Sequence, residues 1–480
     1  MRIETTEVIS KITHEIKTLF NVREELAIEH ELDGDIVTTR MLFDDELLEW
    51  SGKINPHEKR RAEIHRLVKR NLYCIFVNRL GKNPAPYGIM HGVRPTKIVH
   101  RRLRAGFDRS MIEQQLMDEY LVSAEKAALL TEVALSQLPI LNSSDERTIG
   151  IYIGIPFCVT RCLYCSFPSN VLPGEKKIAE FMSALERDIN AARLDVERYG
   201  FKVQSIYIGG GTPTALPDPH FNRLLELTVE SFRGNDLIEF TVECGRPDTI
   251  TPSKIALMSR YGVDRVSVNP QSMQQKTLDR IGRRHSPEDI VRAFHELRRA
   301  ADWKINMDLI LGLPGERLDD VIDTLDRVLA LEPDDVTLHA LALKRGSRLQ
   351  IELDDEVRAL SDFDLPSDEE VRRMSDEASR RLRAADYSPY YLYRQGYMSG
   401  QIENVGWCRA GAEGIYNIQI MDERQTIIGI GGAASTKVPD NKNERLQSTF
   451  HAKELSVYLR DIDHYIDKRT GLLASIYSAL

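Results

Sequence analysis

The sequence predicts an α/β fold: a partial barrel of six βα units within residues 148–350, preceded by an α+β extension over 1–147 and followed by an α+β segment over 351–480. Three observations predict it. From residue 148, short apolar runs alternate with longer amphipathic stretches, the pattern of parallel strands whose connecting helices lie outside the sheet. Polar residues suited to chemistry recur where those runs end, and that is where such a sheet presents its ligand groups. Three cysteines, Cys158, Cys162 and Cys165, follow directly on the first run.

Composition sets the frame. A chain of 480 residues is long enough for two or three domains, and 42% hydrophobic with 29% charged residues is ordinary for a soluble globular protein. The net charge of −9 speaks against bulk attraction to nucleic acid or to an anionic membrane. No run approaches the roughly 18 to 20 apolar residues of a membrane span, and Met1-Arg-Ile-Glu lacks a signal-peptide layout. A cytoplasmic protein is expected, in which clustered thiols bind metal rather than pair. Cys74, Cys244 and Cys408 stand apart and read as small core or loop residues.

In the first segment, Asp33-Gly34 between Leu26–Leu32 and Ile36–Phe43 predicts a β-hairpin. Ile64, Leu67, Val68, Leu72, Ile75 and Phe76 recur at helical spacing and predict one buried face. The basic run Arg94, Lys97, Arg101, Arg102 and Arg104, after Gly92-Val-Arg-Pro95, reads as a solvated helix face or as a docking face for an acidic partner or RNA. Residues 111 to 136 read as helix, and the polar stretch Asn142–Arg147 as a boundary.

Strands are predicted at 149–155, 203–208, 237–243, 264–268, 304–310 and 335–341. The helix 176–199 carries the stripe Ile178, Phe181, Met182, Leu185 and Ile189 and stops at Gly200. Further on, 351–366 is acidic and aperiodic, and Ser367-Asp-Glu-Glu370 is a capping-box signal for a helix 368–386. An aromatic strand at Tyr387–Tyr397, a Gly-rich stretch at Gly429–Gly432 and a helix near 451–467 complete the chain.

The cysteine spacing, Cys158-x3-Cys162-x2-Cys165, lacks a nearby fourth cysteine or histidine, whereas structural zinc takes four ligands. Three thiolates on a [4Fe–4S] cubane leave one iron free to bind a small chelating molecule. A zinc site completed from afar, or three unrelated cysteines, are the alternatives the spacing leaves open. After the second strand comes Gly209-Gly-Gly-Thr212-Pro-Thr214, whose glycines let backbone N–H groups approach an anion. Glu243 ends the third strand and could accept from an ammonium or a ribose; Gln271 follows the fourth, Arg283 lies in Ile281-Gly-Arg-Arg-His285, and Asp308 is expected to end the fifth.

With Tyr164 before the last cysteine, the loop resembles the signature of the radical S-adenosylmethionine (SAM) enzymes, in which the open iron chelates SAM and one electron generates a 5′-deoxyadenosyl radical. Tyr-Ile-x-Ile-Pro-Phe-Cys, Gly-Gly-Gly-Thr-Pro-Thr, Thr-Val-Glu, Leu-Asp-Arg-Ile-Gly-Arg-Arg-His and Asp-Leu-Ile-Leu-Gly-Leu-Pro-Gly together resemble a narrower group. It is the oxygen-independent coproporphyrinogen III oxidase (coproporphyrinogen dehydrogenase) family, in its bacterial dehydrogenase-like subgroup with a long N-terminal extension. The resemblance implies a [4Fe–4S] cluster on Cys158, Cys162 and Cys165 and two SAM molecules. It implies that Tyr152, Gly210, Glu243 and Ala342 contact the first SAM, and Tyr164, Gly211, Thr212, Gln271, Arg283 and Asp308 the second. It also implies a radical SAM barrel, a tetrapyrrole substrate, an electron donor such as flavodoxin or ferredoxin, a monomer, and oxidative decarboxylation of coproporphyrinogen III to protoporphyrinogen IX. No catalytic side chain is assigned. Arg161, Lys344, Arg345 and Arg394 are candidates by location for the substrate carboxylates, or ordinary surface ion pairs. A heme-binding chaperone branch carries His-Asn-x-x-Tyr-Trp; here Glu403-Asn404-Val-Gly-Trp407-Cys408 keeps only the Asn of that motif in register, and a radical SAM enzyme acting on another tetrapyrrole is the further alternative.

Overall fold

The computed structural model describes residues 3, 6–56, 58–90, 94–343, 347–354, 363–395, 398–440 and 445–478. Gly92 and Val93 of the basic run, Lys344, Arg345 and Tyr397 lie outside the described residues. The chain divides into two compact units, Met1–Thr131 and Glu132–Leu480.

In the first unit, β1 (Ala27–Asp33), β2 (Ile36–Phe43) and β3 (Glu46–Lys53) form an antiparallel meander. The expected hairpin turns at Asp33-Gly34, with Gly34 at φ 56°. The third strand is mostly exposed and shows no strict alternation, which hides it in the sequence. The helix Arg60–Leu80 presses Leu67, Val68, Leu72, Ile75 and Phe76 into one core with Val37 and Met41. Inside that core the Asn71 amide nitrogen donates to the Val37 carbonyl at 2.9 Å, which satisfies that buried donor. The stretch 111–136 falls into two helices, Arg109–Tyr120 and Ala124–Asn142, because Leu121 turns left-handed at φ 61° between them. Part of the basic run is neutralised locally: Arg101 and Arg102 both reach Glu58, and Arg102 also reaches Glu119.

The second unit is organised on one sheet. Its strands are β4 (Thr148–Ile155), β7 (Lys202–Gly210), β8 (Glu239–Glu243), β9 (Arg265–Ser267), β10 (Lys304–Leu311) and β11 (Asp335–Ala340), all parallel and in sequence order. Two short strands, β5 (Phe157–Cys158) and β6 (Asn170–Val171), pair with each other beside it. On the β11 edge, β13 (Asn404–Cys408) and β12 (Ser388–Tyr393) add antiparallel strands. On the β4 edge, β14 (Thr426–Gly431) adds a parallel strand, followed by β15 (Ser435–Asp440) and β16 (Arg445–Phe450). The result is an open eleven-stranded sheet, and the C-terminal segment supplies both of its edges.

Period-two alternation explains how each strand packs. Ile206, Ile208, Phe240, Val242, Val266, Ile305 and Met307 are fully buried apolar residues. Between them the chain places Tyr207, Thr241, Glu243, Arg265, Ser267, Asn306, Asp308, Asp335 and Thr337, so one side of each strand is apolar and the other polar. The Gly-rich stretch proves to be the end of β14. A Cβ on Gly431 would stand 2.4 Å from the Gly154 carbonyl oxygen, so glycine is what lets β14 lie this close to β4.

Connecting helices close the units as expected: Glu175–Tyr199 ends at Gly200 in the left-handed region, φ 59°, and Ser367 accepts from the Glu370 N–H to open Asp368–Ala384. The last helix lies further on than expected and is split into Leu455–Arg460 and Ile462–Tyr477. Its fully buried Arg469 donates to Asp188 of Glu175–Tyr199, which also accepts from the Gly431 N–H at 2.8 Å and the Tyr458 hydroxyl at 3.2 Å. Such a paired charge is costly to break but adds little over apolar packing.

At the N-terminal ends of the barrel strands, the floor is closed by charge. Arg265 donates to Asp335 at 2.8 Å and lies 3.5 Å from Glu239. Glu239 in turn accepts from the backbone N–H groups of Ile415 and Tyr416, at 2.7 and 3.0 Å, and so caps the helix Ile415–Asp422. Tyr390 donates to Asp335 at 2.7 Å.

Candidate functional site

Pairing of β5 with β6 closes the cysteine stretch into a loop that neighbouring backbone holds in place. Thr212 N–H donates to the Phe157 carbonyl at 2.7 Å, Leu172 N–H to that of Cys158 at 2.9 Å, and Leu163 N–H to that of Ile281 at 3.0 Å. Arg246, buried and paired with Asp248, donates to the Thr160 hydroxyl at 2.6 Å. All three cysteines are free thiols. Burial pushes the thiols of Cys158 and Cys165 above their usual range, and neighbouring cysteines in the loop push them further. A cationic centre would reverse that and bind them as thiolates.

Among the described residues no three His, Cys, Asp or Glu side chains are gathered tightly enough to hold a single metal ion. A cubane asks for something else: each thiolate takes its own iron, so the ligands stand further apart than around one ion. Three thiols on one pinned loop, each acting on its neighbours' charge and with no further Cys or His in the loop itself, fit that group.

The glycine run forms a shelf beside the loop. Gly210 ends β7 at φ 112°, and a Cβ there would meet the Ile155 carbonyl oxygen at 3.1 Å and the Tyr152 hydroxyl at 3.3 Å. A Cβ on Gly211 would stand 2.4 Å from the Phe157 carbonyl oxygen. The Gly210 N–H donates to Glu243 at 3.0 Å, and the Tyr207 hydroxyl donates to the other carboxylate oxygen. Burial raises the Glu243 carboxyl to about 7, against the Tyr207 hydrogen bond and with help from Asp308. Tyr152, Tyr207 and Tyr416 pack against one another, with centroids 6.2 Å (Tyr152–Tyr207), 6.1 Å (Tyr152–Tyr416) and 4.4 Å (Tyr207–Tyr416) apart. Thus Tyr152, Gly210 and Glu243 are brought together, as the motifs led one to expect. Tyr207 and Tyr416 are additions; the first could have been read from the inward phase of its strand, two residues from Gly209.

Of the second set, Thr212 is buried with its hydroxyl 3.7 Å from the Cys158 sulfur. Arg283 is buried, donates to the carbonyls of Gly245 and Asn269 at 3.0 and 2.5 Å, and reaches the Tyr164 hydroxyl at 3.5 Å and the Cys162 sulfur at 4.0 Å. Gln271 sits in the left-handed region at φ 66°, fixed by hydrogen bonds to and from β10, and its side-chain oxygen is buried with no hydrogen-bond partner. Asp308 lies within β10 rather than at its end, because the buried run Leu309–Leu311 carries the strand on beside β11. It accepts from the Asn306 amide at 2.7 Å, and its carboxylate lies 3.8 Å from the His339 Nε2. Burial alone would raise Asp308, but His339 and Asn306 hold it below the usual carboxylate range.

Tyr164, Cys165 and Ala342 line a cleft of about 580 Å3, including its mouth, together with Phe167, His339 and Tyr393. Arg394 is buried and donates to the Gln401 carbonyl at 3.1 Å. Asn404 is committed to the sheet: its side chain accepts from the Ala340 N–H at 3.0 Å and donates to the Tyr393 carbonyl at 3.4 Å. His339 and Tyr393 went unread because nothing in their local sequence separates them from sheet residues.

Residues 152–328 match the family described as the radical SAM superfamily. The chain is similar to the oxygen-independent coproporphyrinogen-III oxidase-like protein HemZ of Bacillus subtilis, 35% identical over 96% of this chain and 95% of that protein. It is also similar to the heme chaperone HemW of Mycobacterium tuberculosis, 30% identical over 60% of this chain and 70% of that one. Among solved structures it resembles coproporphyrinogen III oxidase (HemN) from Escherichia coli, described as a radical SAM enzyme. The TM-score is 0.54 at 23% identity, covering 69% of this chain and 72% of that one, which bears on the fold. Among the described residues no helix is long and apolar enough to cross a membrane.

Proposed function

The chain belongs to the oxygen-independent coproporphyrinogen-III oxidase-like family of the radical SAM superfamily, and from that premise we propose that it oxidatively decarboxylates the propionates of coproporphyrinogen III to vinyls, giving protoporphyrinogen IX. The observation that carries the proposal is the meeting, at one end of the barrel, of a pinned three-thiol loop with the Gly210–Glu243 shelf. Nearly full-length similarity to HemZ supports the tetrapyrrole substrate.

Cys158, Cys162 and Cys165 would hold a [4Fe–4S] cluster, which supplies the electron that cleaves SAM and releases a hydrogen-abstracting radical. Around it the chain's own residues bind and orient. Glu243, held by Tyr207 and the Gly210 N–H, offers a carboxylate to the ammonium or ribose of a first SAM beside Tyr152 and Ala342. Gly211 and Thr212 bring backbone against the loop, and Tyr164, Gln271, Arg283 and Asp308 complete a second SAM subsite. The free Gln271 oxygen is a polar group awaiting such a partner. A cytoplasmic monomer served by flavodoxin or ferredoxin is part of the same proposal, as is a division of labour among 1–147, 148–350 and 351–480.

Similarity to HemW favours a second reading, a heme chaperone. An anaerobic assay with coproporphyrinogen III, SAM and a reductant, read by protoporphyrin fluorescence, separates them. Product supports the decarboxylase; SAM cleavage without product, with stoichiometric heme binding, supports the chaperone.

A further inference from the structure

Two buried guanidiniums reach the cysteine loop, and they differ in how their charge is met. Arg246 forks onto Asp248 with both contacts at 3.0 Å, so that pair is neutral, and its remaining nitrogen donates to Thr160 at 2.6 Å. Arg283 is 4% exposed, and among the described residues no carboxylate lies within ion-pair distance of it. Its Nη2 donates to the carbonyls of Gly245 and Asn269 at 3.0 and 2.5 Å. Its Nη1 lies 3.5 Å from the Tyr164 hydroxyl and 4.0 Å from the Cys162 sulfur, and its Nε is buried without a hydrogen-bond partner. An arginine stays protonated, and a buried charge calls for an opposite one. Of the groups that Arg283 touches, the carbonyls are neutral and a phenol is neutral at pH 7, which leaves the Cys162 sulfur as the group that can be an anion.

The Cys162 thiol stands here for the thiolate that would ligate the cluster. With a neutral ligand on the open iron, a [4Fe–4S]2+ core on three thiolates carries one net negative charge, and its one-electron reduced form carries two. A fixed buried cation beside a ligand sulfur therefore favours the reduced form. We infer that Arg283 is the internal counter-ion of the cluster, its Nη1 end setting how readily the cluster accepts an electron while its Nε is left for a ligand of the second subsite. The inference rests on the cluster reading above. Arg246, already matched by Asp248, brings little net charge and holds the loop through Thr160 instead.

The test is the midpoint potential of the cluster in the anaerobically reconstituted full-length protein. The protein is titrated without SAM against a strong one-electron reductant and mediators, and the reduced form is followed by electron paramagnetic resonance. In the absence of SAM, a contact between Arg283 and that ligand cannot move the readout. Arg283→Gln should make the cluster about tenfold harder to reduce, a fall of about 59 mV for one electron. Arg283→Lys, which keeps the charge, should stay within about threefold of the wild type. Arg284→Gln, which removes an exposed neighbouring cation, should leave the potential at the wild-type value. Arg283→Met, equally neutral, serves if the glutamine variant does not hold a cluster. A neutral variant at the wild-type potential, a lysine variant that falls as far as the neutral one, or an equal fall in Arg284→Gln overturns the assignment and leaves the cluster reading standing. A wild type that gives no [4Fe–4S] signal on reduction overturns the cluster reading, and this inference with it.

Discussion

The two ends of the barrel are built from the same materials and differ in completeness. At the floor, Arg265 faces Asp335 and Glu239, and Glu239 also closes the helix Ile415–Asp422. Each buried charge there meets an opposite charge or a helix end. Burial pushes Asp335 at the floor and Glu243 at the mouth alike up to about 7, and the floor atoms without a hydrogen bond, Arg265 Nε and Asp335 Oδ1, belong to side chains paired through their other atoms; at the mouth the Gln271 oxygen and both nitrogens of the buried His285 lack a partner among the described residues. A fold keeps buried polar groups short of partners where something else is to supply them. On the proposed function, the floor serves stability and the mouth serves ligands.

Substitutions at each end should therefore fail differently. The largest effect is expected at the cysteine loop. Cys162→Ala should abolish the iron–sulfur absorption band of anaerobically reconstituted protein, while thermal unfolding of the metal-free chain changes little, because Cys162 is a single small buried side chain. A band of unchanged intensity would remove the cluster assignment. At the floor, Arg265→Leu should leave Asp335 and Glu239 buried without their cation and cost about 3–5 kcal/mol of stability. Urea unfolding measures this, and SAM affinity per folded molecule should stay at the wild-type level.

Glu243→Gln inverts that pattern. Removing the carboxylate should weaken SAM binding by about tenfold or more, read by calorimetry. Stability should not fall. The carboxyl is higher in the folded protein, about 7, than its ordinary value of 4.5, so its stabilising contribution is complete below 4.5 and is lost as pH rises through 7. Above that pH glutamine avoids the cost, and Glu243→Gln should unfold at equal or higher urea in pH 8 buffer.

How much of this was legible in the sequence follows the same division. The mouth was legible because its parts are contiguous: three thiols in eight residues, three glycines in a row, Glu243 at the end of an alternating run. The floor was not, because Glu239, Arg265, Asp335 and Tyr416 become neighbours only once six strands are in register, and nothing local marks a charge at the start of a strand as paired. Of the strands at the edges, the aromatic β12 was legible, while β14 was hidden for another reason. Glycines that allow β14 to lie close to β4 read only as a Gly-rich stretch until the partner is known. Asp308 was found but misplaced, since the apolar run after it could continue or end the strand.

The smallest effect expected joins the two ends. Tyr207 donates to Glu243 above and stacks on Tyr416 below, 4.4 Å between centroids, and Tyr416 belongs to the helix that the floor carboxylate caps. Tyr207→Phe keeps the stack and deletes only the hydroxyl. That hydrogen bond lowers the Glu243 pKa, so without it the carboxyl holds its proton to higher pH. SAM binding, which on the proposed role of Glu243 uses the ionised acid, should weaken by about threefold to tenfold near pH 7 and converge on the wild type as pH rises to 9. A loss of equal size at every pH would instead mean that the hydroxyl only shapes the site, and that the floor reaches the mouth through packing rather than through the charge of Glu243.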